Sequence, residues 1–433
     1  MKIVFVSASQ VPSDTANSLQ VMKVCQAFAQ LGHETILLVP ANPQSAISLA
    51  DNFQRELREW ANDANISKKH SRRGLLIRDI RVKKANAIQK LSNSESAIRN
   101  PSISLRTSPQ LATHYGLTTP FEIQWLPVKD RRTFPWTAVR RARRLKADLL
   151  YAWPVQSAAL GLLAGLPVML EMHDFPAGGF GRLWFRLFLR LPGKKRLLPI
   201  THALRRELER RYRSALPDEQ VVIAPDGVDL ERYEHLPDPQ PARRQLGLPP
   251  SPTVVCTGHL YAGRGAGIFL TLAARFPKVN FVWVGGRPQE VDEWRSRAAA
   301  CGLRNVALTG FLPNERIPLF QAAADVLLMP YERTVSTSSG GDTAVICSPM
   351  KMFEYMAAGR AILSSDLPVL REVLNENNAV FCPPDDAGAW ESSLGELLAD
   401  SKRRQALGQR ARADVKEYSW LARARRILEN FNG

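Results

Sequence analysis

Between positions 340 and 359 the chain reads Gly340-Gly341-Asp342-Thr343 and then Ser348-Pro349-Met350-Lys351-Met352-Phe353-Glu354-Tyr355-Met356-Ala357-Ala358-Gly359. A polar, glycine-rich loop that runs into a helix at the carboxyl end of a strand offers free backbone N–H groups and the positive end of a helix dipole. Both suit a bound phosphate. Glu354, about one turn into that helix, is a carboxylate able to accept two hydrogen bonds from vicinal hydroxyls such as those of a ribose. Lys351 reads either as a solvated helix residue or as a phosphate ligand. Together these residue types imply a nucleotide.

Little else in the sequence offers competing chemistry. The five cysteines (Cys25, Cys256, Cys301, Cys347 and Cys382) form no C-x-x-C pair and are odd in number, so neither a zinc site nor a disulfide framework is indicated. The seven histidines form no H-x-x-x-H pattern, and no metal is expected. Asp325 reads as structural.

The elements that must position the motif are legible as strand and helix alternation. Ile3 to Ser7 is strand-like, Leu19 to Leu31 repeats at helical spacing up to Gly32, and Thr35 to Val39 reads as the next strand. That is a β-α-β unit of a parallel sheet. Periodicity fades from about residue 42 to 108, where Lys68-Lys69, Arg72-Arg73 and Lys83-Lys84 lie among many serines and asparagines, and this stretch reads as a basic insertion. A strand at Phe121 to Pro127, a basic helix at Arg140 to Lys146, a strand at Asp148 to Ala152 and the buried strand Val168 to Met172 follow. After Pro217 the pattern restarts, with strands at Val221 to Ala224, Thr253 to Thr257, Phe281 to Gly285, Val306 to Leu308, Val326 to Met329, Ala361 to Ser364 and Ala379 to Cys382. The expected organisation is an α/β chain with two doubly wound parallel sheets: residues 1–215, residues 216–417, and a closing helix over 418–433 that packs back on the first domain.

The 433 residues carry a net charge of +17, and division at residue 215 shows where it lies: 34 Lys and Arg against 15 Asp and Glu before, 24 against 26 after. So lopsided a distribution implies an anionic partner for the first half, whether nucleic acid, an anionic membrane surface or a phosphorylated acceptor. The N-terminal apolar run is too short for a signal peptide, and the longest candidate span, Ala158 to Leu170, is broken by Gly161, Gly165 and Pro167. Arg182, Arg186 and Arg190 stand four apart in Phe180 to Leu191, among Phe180, Trp184, Phe185 and Phe188. That pattern reads as an interfacial helix facing anionic lipid, against the alternative of a domain-packing helix with one solvated basic face.

The segment around Glu354 resembles the retaining GT-B glycosyltransferase family 4, in the variant whose motif reads G-D-T followed by S-P-x-K-x-F-E-Y-M-A. Glu354 matches the second carboxylate of the family's E-x7-E motif, which holds the donor ribose; the first falls at Ile346 and is missing, and Gly341, Asp342 and Thr343 are placed at the sugar instead. A second match is Thr253 to Thr257 followed by Gly258-His259-Leu260-Tyr261-Ala262-Gly263-Arg264-Gly265, where Arg264 occupies the place of the cation that neutralises the donor diphosphate and His259 stands where an earlier arginine is common. His173, after Pro167 to Met172, matches the histidine that contacts the donor sugar. Ala16-Asn17-Ser18 stands where the family has two glycines near the phosphates.

The resemblance implies a GT-B fold whose two domains face a cleft, with His173, Arg264 and Glu354 at the reaction centre. It implies donor contacts from Asn17, Gly258, His259, Gly263, Gly341, Asp342, Thr343, Ser348, Pro349, Met350 and Lys351. The nucleotide-sugar, UDP- or GDP-linked, is then a substrate; no cofactor and no metal is expected, and the sugar's anomeric configuration is retained. The basic half and the Phe180 to Leu191 segment point to a lipid-linked saccharide acceptor in polysaccharide or glycoconjugate assembly, at the cytoplasmic face of the membrane. A UDP-sugar epimerase of the same architecture is the alternative enzyme. A nucleic-acid-binding protein using Arg131-Arg132 and Arg140 to Lys146 is the alternative of another class, but it leaves the glycine-rich loop and Glu354 without purpose, and no nucleic acid is expected.

Overall fold

The computed structural model describes residues 1–13, 15–41, 103–128, 130–176, 178–214, 216–334 and 344–431. Most of the expected 42–108 insertion lies outside these. A first sheet has seven strands: β1 (Lys2–Val6), β2 (Glu34–Pro40), β3 (Ile103–Arg106), β4 (Glu122–Leu126), β5 (Leu149–Ala152), β6 (Val168–Met172) and β7 (Lys195–Pro199), in the order β3-β4-β2-β1-β5-β6-β7. β1 runs parallel to β2 and β5, and β2 parallel to β4. β3 departs from the expected parallel arrangement. It pairs antiparallel with β4, Ile103 opposite Trp125, inside the stretch read as insertion. An antiparallel edge strand on a parallel sheet is common, and four residues after a long aperiodic stretch carry too little pattern to announce one.

The second sheet consists of β8 (Thr253–Thr257), β9 (Asn280–Val284), β10 (Val306–Leu308), β11 (Val326–Met329), β12 (Ala361–Ser365) and β13 (Val380–Cys382), all parallel, in the order β10-β9-β8-β11-β12-β13. Every residue of β8 is buried. Val254 and Cys256 pack with Phe269, Trp283 and Trp390 on one face, while Val255 packs with Met329, Met352 and Phe353 on the other. Alternate residues thus enter two separate cores, which is why the strand reads as a continuous apolar run and why helices must cover both faces. Strand order reverses between β8 and β11, and in such sheets the crevice beyond the carboxyl ends at the reversal is where ligands bind. The expected strand at Val221 to Ala224 reduces to one bridge, Leu197 to Val221. The basic helix begins earlier than expected, at Phe134, and ends at Arg144, because Phe134, Ala138, Val139 and Ala142 supply a buried stripe that the arginines obscure in the sequence.

Both sheets have the doubly wound order, and the fold is GT-B. By packing, the chain divides into two compact units: Met1–Ala112, Thr118–Val168 and Leu191–Lys194 form one, and Thr113–Leu117, Met169–Arg190 and Lys195–Gly433 form the other. Within the second unit Asp325 joins the end of the Pro239–Leu246 helix to the sheet. It pairs with Arg243 and accepts the Thr253 N–H at 2.8 Å. Among the described residues no helix is long and apolar enough to cross a membrane.

Candidate active site

The turn after β8 is built so that it can lie against the end of β11. Gly265 has φ +81°, and a Cβ there would sit 1.8 Å from the Pro330 carbonyl oxygen, so no other residue fits. Gly258 (φ +122°) leaves the strand with its N–H on Val284 O at 2.8 Å and its carbonyl accepting Trp283 Nε1 at 2.9 Å. The His259 ring stacks on Tyr261, centroids 4.8 Å apart. The Gly263 carbonyl accepts the Glu332 N–H at 3.0 Å. This anchoring delivers Arg264 to Tyr331: Nη1 donates to the phenol oxygen at 2.8 Å, and the guanidinium lies 5.1 Å from the ring centre.

The Met350–Ala358 helix brings a second cation to the same ring. Pro349 stands at its N-cap position and no side chain caps it. Ser348, buried just before it, accepts the Asp226 N–H at 3.0 Å and ties the helix entry to the segment that precedes the Leu230–Tyr233 turn. Met350 opens the helix, and the Lys351 ammonium lies 4.5 Å from the Tyr331 ring centre and 3.9 Å from Cys256 Sγ. Two cations held over one ring repel each other, at a cost that a bound anion removes. Among the described residues no carboxylate forms an ion pair with either.

One turn beyond Lys351, on the same helix face, Glu354 is half-buried. Gln321 Nε2 donates to its Oε2 at 3.3 Å, and Gln321 Oε1 in turn accepts the Tyr233 hydroxyl at 2.9 Å. Burial raises the Glu354 carboxyl above its ordinary value, opposed by Arg232, the Gln321 hydrogen bond and Lys351. The arrangement is a carboxylate fixed in orientation, with one oxygen taken by Gln321. Tyr331, Gln321 and Tyr233 have no motif of their own and were not expected at the site; the position of Tyr331 just past a buried strand is the one signal that pointed towards it.

Ile346, which occupies the place of the first motif carboxylate, is fully buried, and its carbonyl accepts the Thr201 hydroxyl at 3.1 Å. Its side chain belongs to the core and offers nothing to a sugar. Gly341, Asp342 and Thr343 lie outside the described residues. Asn17 is exposed, the second residue of the Ala16–Gln30 helix, and belongs to the first unit. Every other described site residue belongs to the second.

His173 follows β6 and meets a buried ion network. Its Nε2 lies 2.6 Å from Glu171 Oε1, while Glu171 Oε2 lies 2.8 Å from Arg423 on the C-terminal Trp420–Leu428 helix. Arg423 also donates to the carbonyls of Pro225 at 2.8 Å and Ala224 at 3.2 Å. Although its burial acts the other way, Arg423 and His173 beside it hold the Glu171 carboxyl below its ordinary value. Neighbouring Asp226 is pushed up to about 7 by burial, against the pull of His173 and Arg423. The network fixes the imidazole and locks the last helix to β6, an arrangement invisible in the sequence because its members are some 250 positions apart. Arg423→Leu leaves Glu171 buried without its cation and is expected to cost about 3–5 kcal/mol in urea unfolding, with much of the loss restored by adding Glu171→Gln. Independent, additive losses in the double variant would show that the two side chains do not act as a pair.

Residues 251–400, which carry the β8 turn, Tyr331, Lys351 and Glu354, match the family described as glycosyl transferases group 1. Among curated proteins the chain is 30% identical over 236 residues to a D-inositol 3-phosphate glycosyltransferase of Xylanimonas cellulosilytica, covering 52% of this chain and 53% of that protein. It is 26% identical over 315 residues to a GDP-mannose-dependent alpha-(1-6)-phosphatidylinositol monomannoside mannosyltransferase of Mycolicibacterium smegmatis, covering 69% of this chain and 80% of that one. The chain thus spans about half the length of the first of these relatives. Among solved structures, the fold is similar to that of Anabaena Alr3699/HepE, crystallised with UDP, with a TM-score of 0.66 at 14% identity and all of both chains covered.

Proposed function

We propose that this chain transfers a sugar from a UDP- or GDP-linked donor to a saccharide or polyol acceptor, retaining the anomeric configuration and without a metal. The observation that carries the reading is the pairing of Arg264 and Lys351 on Tyr331, one helical turn from Glu354. Two fixed cations suit a diphosphate, whose charge grows as the bond to the sugar breaks, and a fixed carboxylate at that distance suits the ribose diol. His173, oriented by Glu171, is assigned to the donor sugar, and residues 216–417 to donor binding. The remaining rate enhancement comes from holding donor and acceptor together and excluding water.

Relatives named for inositol phosphate and phosphatidylinositol acceptors, and the excess positive charge of residues 1–215, support an anionic acceptor, lipid-linked and met at a membrane face. Calorimetric titration with UDP, GDP and ADP, without added metal, tests the donor half. Micromolar binding of one of them is expected; no heat with any of the three would overturn the proposal.

A further inference from the structure

The Gly178–Arg190 helix settles its two apolar halves differently. Phe185 and Phe188 are buried, Phe185 edge-on to Tyr212 at 4.7 Å on the His202–Tyr212 helix, whereas Phe180 and Leu183 are 81% and 61% exposed. Between the two helices lies a cavity of about 300 Å³, lined by Phe175, Pro176, Arg182, Arg186, Arg211 and Tyr212. Arg211 stacks on the Phe175 ring at 3.4 Å and Arg186 approaches the Tyr212 ring at 5.9 Å, so aromatic faces fix where both guanidinium groups stand. Arg211 shares Glu207 with Arg210, at 3.5 Å and 2.7 Å. Arg182 and Arg186 have no carboxylate within ion-pair distance among the described residues. Three guanidinium groups line one small cavity, and among the described residues only Arg211 of the three is in an ion pair, with Glu207, so they repel one another unless an anion enters.

We infer that this cavity binds the phosphate of an anionic lipid headgroup, with Arg182, Arg186 and Arg211 as its ligands and Phe180 and Leu183 entering the acyl boundary beside it. The two exposed apolar side chains decide for a lipid over a free phosphate: a soluble anion has no use for them, whereas an interfacial helix buries such residues beneath the headgroup layer. Arginine's planar fork also suits phosphate oxygens better than a diffuse field of lysines would. The inference rests on the reading of an acceptor met at a membrane face, but it is independent of the donor site.

The test is co-sedimentation of the full chain with vesicles of phosphatidylcholine alone and of equimolar phosphatidylcholine and phosphatidylglycerol. Arg182→Gln/Arg186→Gln is expected to weaken binding to the anionic vesicles about thirtyfold, and Phe180→Ser/Leu183→Ser to weaken it as well. Arg140→Gln/Arg144→Gln, which removes the same charge from the exposed face of a helix elsewhere, should leave it within about threefold. Equal losses in the two arginine pairs would show a diffuse charge effect and overturn the site. So would arginine-pair binding equal to wild type, or displacement of the protein from vesicles by millimolar inorganic phosphate with no effect of the Phe180 and Leu183 changes, which would make the cavity a soluble-anion site. Nucleotide titration of the same variants keeps the two readings apart, since a failed donor site leaves the vesicle result standing.

Discussion

Arg264→Ala is expected to lower turnover by about two to three orders of magnitude, with a much smaller change in the donor's KM. The reason is where the charge develops. In the proposed donor complex the diphosphate's charge would be shared with Lys351 and backbone N–H groups before reaction, bond breaking would add charge to the leaving oxygen, and Arg264 is held in place beforehand by Tyr331. Arg264→Lys should recover part of the rate, since it restores the charge without the planar fork that bonds the tyrosine. Tyr331→Phe isolates that bond: it keeps the ring beneath both cations and removes only the acceptor for Nη1, so a loss of about tenfold would measure orientation alone. Sugar transfer and donor hydrolysis, followed with radiolabelled donor, provide the readout. Turnover in Arg264→Ala equal to wild type would remove this residue from the reaction.

The second large effect concerns binding. Glu354→Ala should weaken the preferred nucleoside diphosphate by about 10- to 100-fold, the value of charge-assisted hydrogen bonds to a ribose diol. Because burial holds the Glu354 carboxyl above its ordinary value, affinity in the wild type should begin to fall on acidification at a pH above the usual carboxylate range, while Glu354→Gln should show no such fall. The same shift has an opposite sign for stability. A carboxyl whose folded value is raised contributes stability below its unfolded value and loses it as pH rises, so Glu354→Gln should unfold at neutral pH no more easily than wild type. Affinity lost without stability lost marks a residue kept for its ligand, and calorimetry beside urea unfolding separates the two. A variant that binds normally, or that loses stability and affinity together, would return Glu354 to the fold.

Much of this molecule is written locally, and that part was legible. Strands such as Thr253 to Thr257 and Val326 to Met329 coincide with their apolar runs because both faces of a doubly wound sheet are buried, and a run of that kind needs no knowledge of its partners to be recognised. Glycines at 258, 263 and 265 and the Ser348 to Gly359 motif likewise mark a turn and a helix entry from chemistry within a dozen residues. By themselves, then, these stretches determined the parallel strands, the turn and the helix entry.

What only the tertiary structure decided is which distant groups meet. Tyr331 becomes the shared platform of Arg264 and Lys351 because strand order reverses between β8 and β11, placing the ends of non-consecutive strands side by side. Ile346 is withdrawn from any sugar contact because its side chain is needed in the core. Arg423 reaches Glu171, and through it His173, from the Trp420–Leu428 helix. Such pairings carry no periodic signal: a charged residue reads as solvent-exposed until the fold buries it against its partner, and the low dielectric of that buried place is what then sets its charge and its use.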